Sequence, residues 1–307
     1  MKKQIIFITG PTAVGKTETA VKLAAKINAE IISCDSMQVY QGMDILTSKP
    51  AKSLRKKICH YLLGMVSPCK EYNVSRYRRD AILKVKQIIK KGKTPLFIGG
   101  TGLYISILAD GIFKIKPLPK SIRDELYKEA EKYGSVYLYK QLKKIDPQAA
   151  AKIHPNDAKR IIRALEVFKA TGKPISVLQK QRSGLADEYD LKIFCLNLER
   201  QKLNKRIEQR VEKMFRRGLV REVNKLTKLK LSKTAGYAIG IKEVKGYLEG
   251  LYDLDAAKSM MARNTQLYAK RQLTWFRKDK RIEWIEIKEK DSPLTIAERI
   301  FKKLQSI

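Results

Sequence analysis

Apolar positions along the chain change their period several times. Gln4-Ile-Ile-Phe-Ile-Thr9 is a continuous apolar run of strand length, and Ala20, Leu23, Ala24 and Ile27 then recur at helical spacing within Gly15–Ala29. Glu30–Asp35 predicts a short buried strand ending in an acid. Ser75–Lys91 predicts a helix with Ser75 as N-cap, Ala81, Ile82, Val85, Ile88 and Ile89 as its apolar face, and Gly92 as its stop. Pro95–Gly99 predicts a third strand that runs into Gly99-Gly100-Thr101-Gly102. Strands alternating with helices imply a parallel sheet, whose sites lie beyond the carboxyl ends of the strands.

The pattern then turns helical. From Lys116 to Tyr189 no buried strand is expected, and Leu191–Leu198 restores one. The fold expected is therefore an α/β parallel-sheet core, residues 1–115 and 190–307, carrying a helical insertion, residues 116–189. Beyond residue 198 the chain reads as helical, including Lys202–Arg217 and a basic segment from Met260 to Lys280.

The first strand and helix are joined by Gly10-Pro11-Thr12-Ala13-Val14-Gly15-Lys16-Thr17. Glycines at the ends of such a loop let backbone N–H groups curl around an oxyanion. Lys16 adds a point charge, and the Thr17 hydroxyl is placed to ligate Mg²⁺. The helix behind contributes its positive end. A polyphosphate is the expected ligand, and the loop alone does not say what is done with it. Asp35, at the tip of the second strand, can coordinate Mg²⁺, take a proton or cap the following turn. A hydrolase of this type would want a second acid near the γ-phosphate. The third strand offers instead glycines and the Thr101 hydroxyl, groups that grip a phosphate or its leaving oxygen.

Composition narrows the partners. Sixty-five Lys+Arg against 31 Asp+Glu give a formal charge of +34, a self-repulsion that calls for an anionic partner such as a nucleic acid. A uniformly lysine-rich surface is the competing explanation. No apolar run approaches the ~20 residues that span a bilayer. A strand starts almost at Met1, and Cys34, Cys59, Cys69 and Cys195 form no C-x-x-C pair, so a cytoplasmic protein with reduced thiols is expected. A monomer is the expected state.

Gly10–Thr17, Asp35–Tyr40 with Lys49-Pro50, and Gly99–Tyr104 together resemble the tRNA dimethylallyltransferase (isopentenyltransferase) family. The likeness continues through Asp146-Pro147, Ile153-His154-Pro155-Asn156-Asp157, Arg163–Val167, Thr171–Ser176 and Ala269–Arg277, in the family's order. Departures are visible. His60-Tyr61-Leu62-Leu63-Gly64 lacks one His and the acid of His-His-Leu-Ile-Asp, Ile241 replaces the Tyr of Ile-Gly-Tyr-Lys-Glu, and an Arg is missing around Gln266-Leu267.

The resemblance implies a P-loop core and transfer of a dimethylallyl group from dimethylallyl diphosphate to the exocyclic amine of the adenosine 3′ of a tRNA anticodon. The loop Gly10–Thr17 would then grip a diphosphate, with Lys16, Thr17 and Mg²⁺ stabilising the leaving group and ATP as a further ligand for the same loop. Asp35 is implied as base and Thr101 as a grip on the diphosphate. Asp35, Ser36, Met37, Gln38 and Thr101 are implied to meet the tRNA, with Gln38 offering paired hydrogen bonds to the adenine. Lys159, Arg160, Ile161, Ile162 and Arg163, with Arg123, form the implied RNA-contacting set of the insertion. A P-loop small-molecule kinase and a nucleotide-switched RNA-binding protein are the alternative readings of the same loops.

Overall fold

The computed structural model describes residues 2–113, 115 and 118–305; the expected boundary at Lys116-Pro117 lies outside the described residues. Two compact units result, one formed by residues up to Ala109 together with Glu188 onward, the other by Asp110–Asp187.

The first unit holds a six-stranded sheet in the order β3-β2-β4-β1-β5-β6. Its strands are β1 (Gln4–Thr9), β2 (Ala29–Ser33), β3 (His60–Tyr61), β4 (Thr94–Ile98), β5 (Asp190–Asn197) and β6 (Ile282–Glu286), and every pairing is parallel. β1 lies at the centre, with Ile6 opposite Leu96 on one side and Lys192 on the other. Such a strand is covered on both faces, which is why Ile5, Ile6, Phe7 and Ile8 are all buried and no alternation shows in the sequence. The order steps outward in opposite directions from β1, to β4 and to β5. The crevice at that reversal, at the carboxyl ends of the strands, is the usual place for a ligand.

Two strands were not expected. β3 has only two residues, too short for a periodic signal. β6 lies in a stretch expected to be helical, yet it pairs with β5, Ile193 opposite Ile282 and Leu196 opposite Ile285, and both β6 isoleucines are buried. The helix over Val74–Lys90 is capped by Asn73, whose side chain accepts from the Arg76 amide, and not by Ser75. The first helix spans Lys16–Lys26 and stops short of Ala29, because Asn28 turns the chain at φ 49° into β2.

The second unit is helical, built on Lys120–Tyr133, Ser135–Ile145 and Ala158–Thr171 around Leu126, Leu138, Leu142, Ile161, Ile162 and Leu165. Among the described residues no helix is long and apolar enough to cross a membrane.

Candidate active site

The loop after β1 is shaped by its backbone before any side chain acts. Gly10 sits at φ 137°, where an added Cβ would stand 2.6 Å from the Leu196 carbonyl, so only glycine fits. Gly15, at φ 102°, opens the helix Lys16–Lys26 and aims its first amides at the loop. The Lys16 ammonium donates to the carbonyls of Gly10 at 3.0 Å and Pro11 at 2.7 Å. Burial of this ammonium lowers its pKa to about 8, aided by the nearby Arg210 charge and opposed by Asp35. An anion in the cradle would restore that lost charge preference.

A cavity of about 580 Å³ lies over the loop, lined by Lys16, Thr17, Lys49 and a row of basic residues, Arg206, Arg210, Lys213 and Arg217. These four come from one face of the helix Arg200–Arg216 and its C-cap, at steps of four, three and four residues. Arg210 joins two walls of the cavity. Its Nε donates to Ser48 Oγ at 2.9 Å and its Nη1 to Thr12 Oγ1 at 2.8 Å. Burial lowers its pKa and the Asp35 charge raises it. Among the described residues its hydrogen-bond partners are hydroxyls, and no carboxylate pairs with it directly, so its charge is available to an anionic ligand.

A second cavity, of about 320 Å³, has a different character. Met37, Leu46, Ile207, Val211 and Met261 give it apolar walls, with Ser36, Tyr237, Tyr268 and Arg271 as polar groups. Thr12, Asp35, Thr47, Arg210 and Met214 line both cavities. The boundary between a cationic chamber and a largely apolar one therefore carries a carboxylate and a guanidinium.

Asp35 performs one of the tasks open to it. Its Oδ1 accepts from the amides of Met37 at 2.8 Å and Gln38 at 3.3 Å, which caps the turn. The carboxylate also faces both cavities. Thr101 lines neither; its Oγ1 accepts from the Ser36 amide at 3.1 Å and so braces the Asp35 loop. The Tyr268 hydroxyl joins this group beside Thr101, and burial together with the Asp35 charge pushes its pKa well up.

Gln38 departs from expectation. Its Nε2 donates to the carbonyls of Thr47 and Ser48, its Oε1 accepts from Ser33, and it lines the cationic cavity only. With its amide engaged at both ends, it shapes the chamber wall. Ser36 and Met37 face the second cavity.

The segment Met43–Pro50, which completes both walls, is held by Glu222. Its carboxylate accepts from the successive amides of Asp44, Ile45 and Leu46 at 2.8–3.1 Å. Lys49 pairs with Asp44 at 2.7 Å and lies 3.3 Å from where a Cβ on Gly64 would stand. Asp44 thus supplies Lys49 with a counter-charge where the resembled family carries an acid at the position of Gly64.

In the helical unit the expected RNA-contacting set divides. Ile161 and Ile162 are 0 % and 1 % exposed, so they form its core and are corrected from contact residues to packing residues. Helical periodicity forces this, since both share the inward face with Leu165. Arg123 donates twice to the buried Glu166, at 3.1 and 2.9 Å, and Arg163 once at 2.9 Å. Arg160 is exposed and pairs loosely with Asp157 at 3.3 Å, and Lys159 is exposed as well. His154 organises a turn by accepting from the Asn156 amide.

Comparison with known proteins agrees in every part of the chain. The IPP transferase family model matches residues 38–279, and the isopentenyl transferase model matches residues 3–66. The tRNA dimethylallyltransferase of Natranaerobius thermophilus is 47 % identical over 295 residues, covering 94 % of this chain and 88 % of that protein. The crystal structure of the full-length tRNA isopentenylpyrophosphate transferase of Bacillus halodurans aligns over 100 % of this chain and 98 % of its own, with TM-score 0.71 and 37 % identity. A eukaryotic dimethylallyltransferase, described in crystallographic snapshots as acting on tRNA, aligns over 99 % of this chain and 79 % of its own, with TM-score 0.84 and 28 % identity. On this combination of family match, identity and coverage, the chain belongs to the IPP transferase family.

Proposed function

We propose that this chain transfers a dimethylallyl group from dimethylallyl diphosphate to the exocyclic amine of the adenosine 3′ of a tRNA anticodon. One observation supports it above the others: Asp35 stands at the boundary between a cationic chamber and an apolar one. The diphosphate belongs in the first, against the loop Gly10–Thr17, Lys16 and Arg210. The adenine, turned out of its stack, belongs in the second beside Ser36 and Met37. The allylic carbon then lies between them.

In the transfer the amine nitrogen bonds to the first carbon of the allyl group as the carbon–oxygen bond breaks. The bond's electron pair stays on the diphosphate oxygen, where Lys16, Arg210 and the amides opening the first helix stabilise it. The proton leaving the nitrogen goes to Asp35, whose turn amides hold Oδ1 and leave Oδ2 to accept it. Thr101 acts through Ser36 by fixing this loop. The Thr17 hydroxyl is a hard oxygen donor at the mouth of the phosphate loop, of the kind Mg²⁺ takes together with phosphate oxygens. Bound there, the cation would neutralise charge on the diphosphate.

Arg160 and Lys159 are among the exposed cations of the helical unit and are suited to RNA phosphates. The kinase reading is not favoured by the family to which the chain belongs. Incubation with labelled dimethylallyl diphosphate and unmodified tRNA tests the proposal. Label on the adenosine beside the anticodon is expected, and phosphate transfer or nucleotide binding without transfer would replace the reading.

A further inference from the structure

We propose that Gln272 is a positioning residue that locks the phosphate loop to the loop bearing the base. The inference rests on the transfer reading above and concerns a side chain that enters neither cavity. Gln272 projects from the helix Leu254–Phe276 and is 6 % exposed. Its Oε1 accepts from the Thr12 amide at 2.9 Å, and its Nε2 donates to the Gly100 carbonyl at 2.8 Å. The amide's orientation is fixed by chemistry, because a backbone N–H only donates and a carbonyl only accepts.

The connection extends further. Thr101, next to Gly100, accepts from the Ser36 amide, and Ser36 follows Asp35. One side chain thereby joins the phosphate loop, the Gly99–Gly102 loop and, through Thr101, the Asp35 loop. Thr12 is held from a second direction by Arg210. The fit around Gln272 is close: a Cβ on Gly100 would stand 2.0 Å from Nε2. Few side chains could replace it. Asn has the right groups on a stem one methylene shorter, and an ionised Glu would turn an oxygen toward the Gly100 carbonyl.

Leaving group and base must be held to a fraction of an ångström for an in-line transfer, and ~1 Å of misplacement can cost ~10²-fold in rate. Gln272 fixes that spacing without touching either substrate. The same helix presents Tyr268 and Arg271 to the second cavity, and through Gln272 it also holds Thr12, which lines both chambers.

The test compares wild type, Gln272→Ala, Gln272→Glu, Gly100→Ala and the Gly100→Ala/Gln272→Ala double variant, with thermal melts checking that each folds. Transfer from dimethylallyl diphosphate to an anticodon stem-loop is followed, and affinities for the RNA and for inorganic pyrophosphate are measured apart from turnover. Gln272→Ala is expected to lower kcat by ~10–100-fold while RNA affinity stays within about threefold. Gln272→Glu is expected to regain activity relative to wild type as pH falls, since a protonated carboxyl can donate to the Gly100 carbonyl as the amide does. Gly100→Ala is expected to cost less in the Gln272→Ala background than alone, because the atom it strikes has gone.

A kcat within about threefold of wild type for Gln272→Ala would overturn the proposal. So would a Gln272→Glu profile parallel to wild type, or additive costs in the double variant; these two arms decide the matter if Gln272→Ala does not fold. A wild type that binds pyrophosphate yet modifies no RNA would sink the transfer reading instead. Gln272 is then judged by pyrophosphate affinity, which its loss should weaken and which an unchanged value would contradict.

Discussion

Arg210 in the α/β unit and Arg123 and Arg163 in the helical unit are all partly covered guanidiniums, yet their partners differ in kind. Arg210 is held by the hydroxyls of Ser48 and Thr12. Arg123 and Arg163 converge on Glu166, whose side chain is 3 % exposed. Hydroxyls orient a cation without neutralising it, whereas a buried carboxylate consumes the charge and must itself be compensated. On the proposed function, the difference separates a cation left available to an anionic substrate from cations engaged in holding the helical unit. A net charge of +34 does not by itself say which is which.

Breaking the first kind should stop the reaction. Arg210→Ala should lower transfer efficiency by ~10²–10³-fold, the usual cost of removing one preorganised donor from a developing oxyanion, and leave the melting temperature nearly unchanged. Steady-state kinetics with both substrates checks it. Breaking the second kind should do the reverse. Glu166→Ala leaves two cations without a partner and should destabilise the helical unit by about 3 kcal/mol, the low end for a broken buried pair because both arginines keep some water. Denaturant melts would show it, with pyrophosphate affinity unaffected.

Lys16 sharpens the comparison through pH. Its pKa is lowered from 10.5 to about 8, so between those values the unfolded chain binds a proton that the folded chain has released. This group's contribution to stability therefore rises with pH across that window, while diphosphate affinity falls as the ammonium is lost above about 8. Pyrophosphate titrations should show the decline in wild type and its absence in Lys16→Arg. The smallest effect belongs to the exposed Arg160. Arg160→Ala should reduce the slope of log K for tRNA against log [salt] by about one unit, with all tRNAs weakened alike.

The phosphate loop was legible because its chemistry is local: eight consecutive residues between a strand and a helix leave little for the rest of the chain to decide. Asp35, Ser36 and Met37 were legible for the same reason. Arg210 and Gln272 were not, since they meet the loop from 198 and 260 residues away. A signal for Arg210 did exist, in the basic face of Arg206, Arg210, Lys213 and Arg217 on a segment recognised only as helical. Glu222, whose three amide contacts are all with a distant loop, left no comparable pattern. Ile161 and Ile162 were drawn into the RNA set by adjacency to arginines, although the same helical period that exposes Lys159 and Arg160 turns them inward. β6 was lost because five residues beside long basic helices carry too little periodicity to stand out.

The central claim is that a carboxylate at the boundary of the two chambers takes the proton from the attacking amine. Single-turnover transfer by Asp35→Asn, with dimethylallyl diphosphate and anticodon stem-loop both saturating, tests it most directly. A rate ~10²–10⁴-fold below wild type is expected, with both substrates bound within about threefold of their wild-type affinities. A rate within about tenfold of wild type would contradict it, and the base would have to be sought elsewhere on that boundary.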